Sequence, residues 1–191
     1  MARTKEFDPD SALERAMELF WEQGYEKTSV DDLVRRMGIG RRSLYDTYGD
    51  KHALFIQVLS RYASDHESRE SKIAEQAGDI RQAVRLLLET SLAEGSVMRR
   101  GCLAVNTATE ATIGDPEAIG VVEEHFARSR SILTGLLERG RADGTICLHH
   151  SLEALTASVF NAWVGLRVRV RAGASLDLLS ADVTAVLSLL D

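Results

Sequence analysis

The sequence predicts an all-α protein, on three observations. Apolar residues recur at three- and four-residue spacing through most of the chain. Asp-Pro pairs, acidic caps and glycines interrupt that pattern at helix-length intervals. No convincing strand and no Asn-Gly hairpin turn occurs.

Asp8-Pro9 opens the first element. Aspartate accepts from otherwise unpaired N–H groups, and proline is tolerated at the first helical position, where its missing N–H costs nothing. Leu13, Ala16, Met17, Phe20 and Trp21 follow on one face, and Gly24 is a natural stop. A second helix starts at Thr28 or Ser29, where Asp31 and Asp32, three residues on, complete a box-like cap. It ends at Gly38. A third spans Arg41–Tyr48 and stops at Gly49. Asp50 caps a fourth, carrying Ala53, Leu54, Phe55, Ile56, Val58 and Leu59, which is expected to run into the sixties. The polar stretch 64–76 reads as the end of that helix and a connection. Further helices are expected at 80–93, 103–112, 117–139, 152–171 and 176–190, with Asp115-Pro116 repeating the first cap signal. Arg167-Val-Arg-Val-Arg171 alternates like a strand, but five residues do not override the helical pattern before them.

A chain of 191 residues makes one domain or two small ones. Its 45% hydrophobic and 27% charged content excludes wholesale disorder. The longest apolar stretch, near 154–166, is interrupted by Thr156, Ser158 and Asn161 and falls short of a membrane span. No apolar secretory segment is visible, and two cysteines, Cys102 and Cys147, make no disulfide framework; the expected compartment is the cytoplasm. The net charge of −6 argues against binding nucleic acid through bulk charge alone. Between Arg35 and Lys51, however, five cations face two acids. A local basic footprint on an acidic protein can bind phosphate. Enzyme chemistry is not signalled. His149-His150 is an isolated pair without metal-ligand spacing, and there is no phosphate loop or nucleophile elbow. No catalytic residue, metal or cofactor is expected.

Two short helices joined by Gly38-Ile39-Gly40 have the dimensions of a helix-turn-helix, whose second helix enters the DNA major groove. Arg41 and Arg42 can each present a bidentate fork to guanine. Ser43, Tyr45 and Thr47 can donate to phosphate, and Lys51 adds a cation beside the next helix's positive end. Leu44 and Tyr48, four apart, are expected to pack inward against Leu33 and Phe20. Arg35 and Arg36 read more readily as helix-surface residues, and the terminus with Arg3 and Lys5 reads more readily as a disordered end than as an arm reaching a minor groove.

These residues resemble the DNA-binding domain of the TetR/AcrR family of bacterial transcriptional regulators. The resemblance covers residues 7–59 and rests on Ala16 to Phe20, Gly24-Tyr25, Thr28-Ser29-Val30, Leu33, Gly38-Ile39, Ser43-Leu44-Tyr45, Tyr48 and the run Asp50 to Phe55. It implies backbone contacts by Thr28, Tyr45, Thr47 and Lys51 and base contacts by Arg41 and Arg42. Two positions depart from the family pattern: Gly40, where a serine is common, loses a helix cap, and Arg42, where a glycine is common, adds a charged side chain.

The expected organisation is a three-helix DNA-binding domain at 1–60 and a larger helical ligand-binding and dimerisation domain at 61–191. Residues 152–171 are apolar nearly all round, and Leu179, Val183, Val186, Leu187 and Leu190 form a stripe. Helices 152–171 and 176–190 are expected to pair two subunits. The resemblance implies a homodimer on a palindromic operator, most readily a repressor released by a small-molecule effector. Polar residues on apolar backgrounds nominate its pocket: Cys102, Asn106, Glu110, His125 and Asn161. Arg99 and Arg100 beside Cys102 also suggest a reactive thiol, against the simpler reading of a small buried hydrophobe.

Overall fold

The computed structural model describes residues 7–96, 100–110, 115–146 and 151–191. In chain order these form α1 (Pro9–Gln23), α2 (Val30–Met37), α3 (Arg41–Tyr48), α4 (Lys51–Gln76), α5 (Ile80–Ser96), α6 (Leu103–Thr109), α7 (Pro116–Ala142), α8 (Leu152–Arg171) and α9 (Leu176–Leu187), with a 3-10 turn at Ser188–Leu190. No strand occurs among the described residues. The all-α expectation holds.

The caps act as the sequence indicates. Asp8 accepts from the amides of Asp10 and Ser11. Ser29 and Asp32 form a reciprocal capping box, and Gly38 closes α2 in the left-handed conformation, φ 70°. Asp50 caps α4 through the Ala53 amide. Gly40 offers α3 no side-chain cap. Ser151 and Ser175 cap α8 and α9. Arg167 to Arg171 is helical, with Arg169 and Arg171 in the last turn, where cations complement the helix dipole.

The main difference lies in α4, which continues through 64–76 to Gln76 instead of ending in the sixties. The polar composition of 64–76 suggests a helix end and a connection. Instead Tyr62, His66 and Glu70, four residues apart, form a polar stripe on the buried face of this helix. Helix α4 packs along α7, and its far end lies against a second core through Ile73 and Ala74.

Two cores result. One joins α1–α4 to Cys102, Leu103, Ala104 and Val105 around the start of α6, and to Ala118 and Val122 of α7. The other is built from α5, α7, α8 and α9. The division expected after residue 60 thus falls inside a continuous helix, α4, which contributes to both cores.

The phase of α9 also corrects an expectation. Leu179, Val183, Leu187 and Leu190 are buried within the chain, where α9 lies on α5 and α8. They cannot form an intersubunit stripe. The outward apolar residues are Val168 on α8 and Leu176, Leu178 and Leu189 on or just after α9. No helix among the described residues is long and apolar enough to cross a membrane.

Candidate nucleic-acid interface

Helix α3 has one greasy side. Leu44 and Tyr48 are buried in the first core, which also holds Leu33 and Phe20, as expected. The Tyr48 hydroxyl donates to the Pro9 carbonyl at 2.8 Å, tying α3 to the start of α1. This anchoring fixes which residues face out. Arg41, Arg42, Tyr45 and Asp46 are exposed, while Ser43 and Thr47 are half-buried on the flank.

Both arginines are held by carboxylates. Arg41 Nη2 donates to Asp31 Oδ1 of α2 at 2.5 Å. Arg42 Nε lies 3.6 Å from Asp46 Oδ2, one turn on, in a pair that is 92% and 68% exposed. Exposed pairs of this kind are weak and readily exchanged for a phosphate or a base. Lys51, at the first turn of α4, places Nζ 4.2 Å from the centre of the Tyr25 ring. That cation–π contact steadies a side chain that would otherwise be mobile.

Thr28 does not join this surface. Its side chain is buried, and Oγ1 donates to the Gly24 carbonyl at 2.6 Å, closing the turn between α1 and α2. A hydroxyl four residues after a helix-ending carbonyl can bond back to it, which turns this one inward. Arg35 pairs with Asp32 within α2, whereas Arg36 pairs with Glu18 and Glu22 of α1 and so ties two helices together. Arg3 and Lys5 lie outside the described residues. Sequence reasoning missed Asp31, Asp46 and Tyr25. The first is ten residues from its arginine, a spacing with no local signature.

A sequence model of the bacterial regulatory proteins, tetR family, matches residues 12–58. The uncharacterized HTH-type transcriptional regulator YezE of Bacillus subtilis (strain 168) is 30% identical over 194 residues, covering 100% of both chains. This chain belongs to the tetR family. The HTH-type transcriptional repressor ComR of Escherichia coli (strain K12) is 31% identical over 183 residues, covering 92% of this chain and 85% of that one. Among solved structures, a cysteine mutant of the TetR family regulator CifR, complexed with 26bp double-strand operator DNA, superposes with a TM-score of 0.87. It is 30% identical and covers 99% of this chain and 100% of its own. The protein is therefore a DNA-binding transcriptional regulator of the tetR family, a family of regulators and not of enzymes.

Behind the DNA-reading head, this tetR-family regulator buries a group of polar side chains. Tyr62, His66 and Glu70 of α4, His125 and Ser129 of α7, Thr156 and Arg167 of α8, and Cys102 before α6 are all buried. Ser129 donates to Glu70 Oε2 at 2.7 Å. The Tyr62 hydroxyl donates to Cys102 Sγ at 3.2 Å. The Arg167 guanidinium lies 3.1 Å over the Trp163 ring, donates to the Trp163 carbonyl at 3.2 Å and lies within electrostatic reach of Cys102. Burial, helped by the Arg167 charge, pushes His66 down to about 2 and His125 down to about 4. Burial also raises the Glu70 carboxyl and holds the Tyr62 phenol well above its usual value. Neither ring nitrogen of His125 nor the Thr156 hydroxyl has a hydrogen-bond partner among the described residues. A cavity of about 20 Å³ lies beside Glu70 and Ser129, walled by Leu87, Leu133, Phe160 and Trp163.

The five pocket candidates separate. Cys102 and His125 lie in this interior. Asn106 and Glu110 line a cleft of about 280 Å³ between α6 and the end of α1. There Asn106 donates to the Arg100 carbonyl at 2.7 Å, and the Glu110 carboxylate accepts from the amides of Tyr25 at 3.1 Å and Glu26 at 3.3 Å. Gly24 makes this approach possible, since a Cβ there would collide with the Glu110 carboxylate. Asn161 belongs to neither place. It is exposed on the outer side of α8, out of phase with buried Val159 and Trp163. An apolar pattern all round a helix does not tell which side faces inward. Arg100 turns from Cys102 to Glu22, at 3.1 Å, so the cation beside the thiol is Arg167. Arg99, Cys147, His149 and His150 lie outside the described residues.

Proposed function

We propose that the protein is a dimeric repressor that binds a palindromic operator and leaves it when a small molecule enters the polar interior. The observation that carries the DNA part is the exposed set Arg41, Arg42 and Tyr45 on an α3 anchored by Leu44 and Tyr48. Arg41 and Arg42 address base edges; Ser43, Tyr45, Thr47 and Lys51 address phosphates. In this reading Thr28 acts through the turn it closes. The functional units are 1–60 and 61–191, joined through α4.

Dimerisation is supported by the outer side of α8 and α9. Exposed Leu178, Ala181, Ala185 and Leu189 recur at helical spacing, next to exposed Asn161, Gly165 and Val168 of α8. Small residues on α8 let a second helix approach closely. A two-fold dimer matches half-sites one turn apart, about 34–36 Å. The effector is expected to act by preferring a conformation whose recognition helices are wrongly spaced. It can shift the equilibrium only by its differential affinity for the two states. His125 and Thr156, with hydrogen-bonding capacity unmet, are where an entering ligand gains most.

The test is selection of a random DNA library by the purified protein at near-physiological salt. A palindrome should be enriched, and Arg42→Ala should lose about 1–3 kcal/mol at one base position per half-site. An unchanged base preference in that variant would remove Arg42 from base reading. Lys51→Ala should weaken all sequences about equally and flatten the salt dependence.

A further inference from the structure

We infer that Asp46 is a specificity-determining residue, reading a cytosine within about two base steps of the guanine read by Arg42. The inference rests on the DNA-binding surface described above and starts from the phase of α3. At about 100° per residue, the buried side chains Leu44 and Tyr48 define one direction across the helix. The opposite direction falls within about 40° of both Arg42 and Asp46. Arg41 and Tyr45 lie to one side of that line, Ser43 and Thr47 to the other. A recognition helix in the major groove turns its first residues and its outermost line toward base edges, and its later flanks toward the phosphate walls. Asp46 therefore faces base edges at the centre of the reading surface, 68% exposed at its side chain.

A carboxylate in that place has a definite chemistry. It accepts and cannot donate, so phosphates and the acceptor-rich edge of guanine repel it. The donor that pairs with it in the major groove is the cytosine N4 amino group. Adenine N6 also donates, but N7 beside it is an acceptor that an amide satisfies and a carboxylate does not. Four helical residues separate Arg42 from Asp46, about 6 Å along the axis, which is about two base steps. The two side chains lie 3.6 Å apart in this structure, so they hold each other outward until bases replace the pair. Asp46 also lowers the attraction of α3 for DNA of any sequence, which widens the gap between operator and bulk DNA.

The experiment is library selection with the full-length wild type, Asp46→Asn and Asp46→Ala in parallel. The expected wild-type motif has a cytosine within about two steps of a guanine in each half-site. Asp46→Asn should exchange that cytosine for adenine, since an amide pairs with adenine N6 and N7. Asp46→Ala should lose about tenfold discrimination at that one position and bind unrelated DNA more tightly. If both variants keep the wild-type base preferences at every position, the inference is overturned while the DNA-binding reading stands. A uniform gain in affinity for Asp46→Ala, with the cytosine preference intact, also overturns it. A wild type that enriches no motif overturns the sequence-specific reading and this inference with it.

Discussion

Val183→Asp should unfold the protein, and Leu178→Asp should leave it folded but monomeric. The two residues are five apart on one helix, yet their surroundings are opposite. Val183 is completely buried among side chains of the second core, whereas Leu178 is 55% exposed. A carboxylate at Val183 loses its hydration without gaining a partner, and the change also removes branched apolar contacts. Such a substitution costs more than about 4 kcal/mol, a large part of a typical domain's stability. At Leu178 the same carboxylate stays hydrated, and the cost to the monomer is within about 1 kcal/mol. Across a two-fold axis, however, the change puts two like charges into the proposed apolar contact. Circular dichroism and sedimentation should therefore separate the two variants. Operator affinity of Leu178→Asp should drop about a hundredfold or more, because each head then binds its half-site alone. A Leu178→Asp protein that remains a dimer with full operator affinity would place the subunit contact elsewhere.

That contrast shows what was legible in the sequence. Helix boundaries were readable because they are local: Asp8-Pro9, the Ser29–Asp32 box and Gly38 each act within one turn. The inward side of α3 was readable because two residues, Leu44 and Tyr48, are the apolar ones that share a face. The inward side of α9 was not. Its stripe Leu179, Val183, Leu187 is satisfied equally by a neighbour in the same chain or in another, and periodicity does not distinguish them. The polar stretch of α4 failed for a related reason. His66 and Glu70 are rarely interior types, so nothing local marks them as buried; their partners lie on α7 and α8, 59 residues away in the case of the Glu70–Ser129 bond. Glu110 was selected as a polar residue on an apolar background. Its partners, the amides of Tyr25 and Glu26, have no side-chain signature to read.

The polar interior should make stability strongly dependent on pH on the acid side of neutrality. His66 and His125 are held neutral in the fold, pushed down to about 2 and about 4 by burial first and by Arg167 second. In the unfolded chain both protonate near pH 6.5. Below that pH the unfolded state binds more protons than the folded one, so stability is lost as the pH falls. Each group contributes about 1.4 kcal/mol per pH unit in the window between its two values. From pH 7.5 to 5 the pair should therefore remove about 4 kcal/mol. Glu70 opposes this in part. Its carboxyl is raised, so the fold takes up that proton before the unfolded chain does, and stability is gained as the pH falls through its folded value. The net expectation is a melting midpoint about 5–10 °C lower at pH 5 than at pH 7.5. His125→Gln keeps a hydrogen-bonding side chain but cannot titrate, so it should remove at least half of the net decline. A midpoint that is flat across this range, or that declines equally in wild type and a His66→Gln/His125→Gln double variant, would show that the two imidazoles are not buried neutral groups.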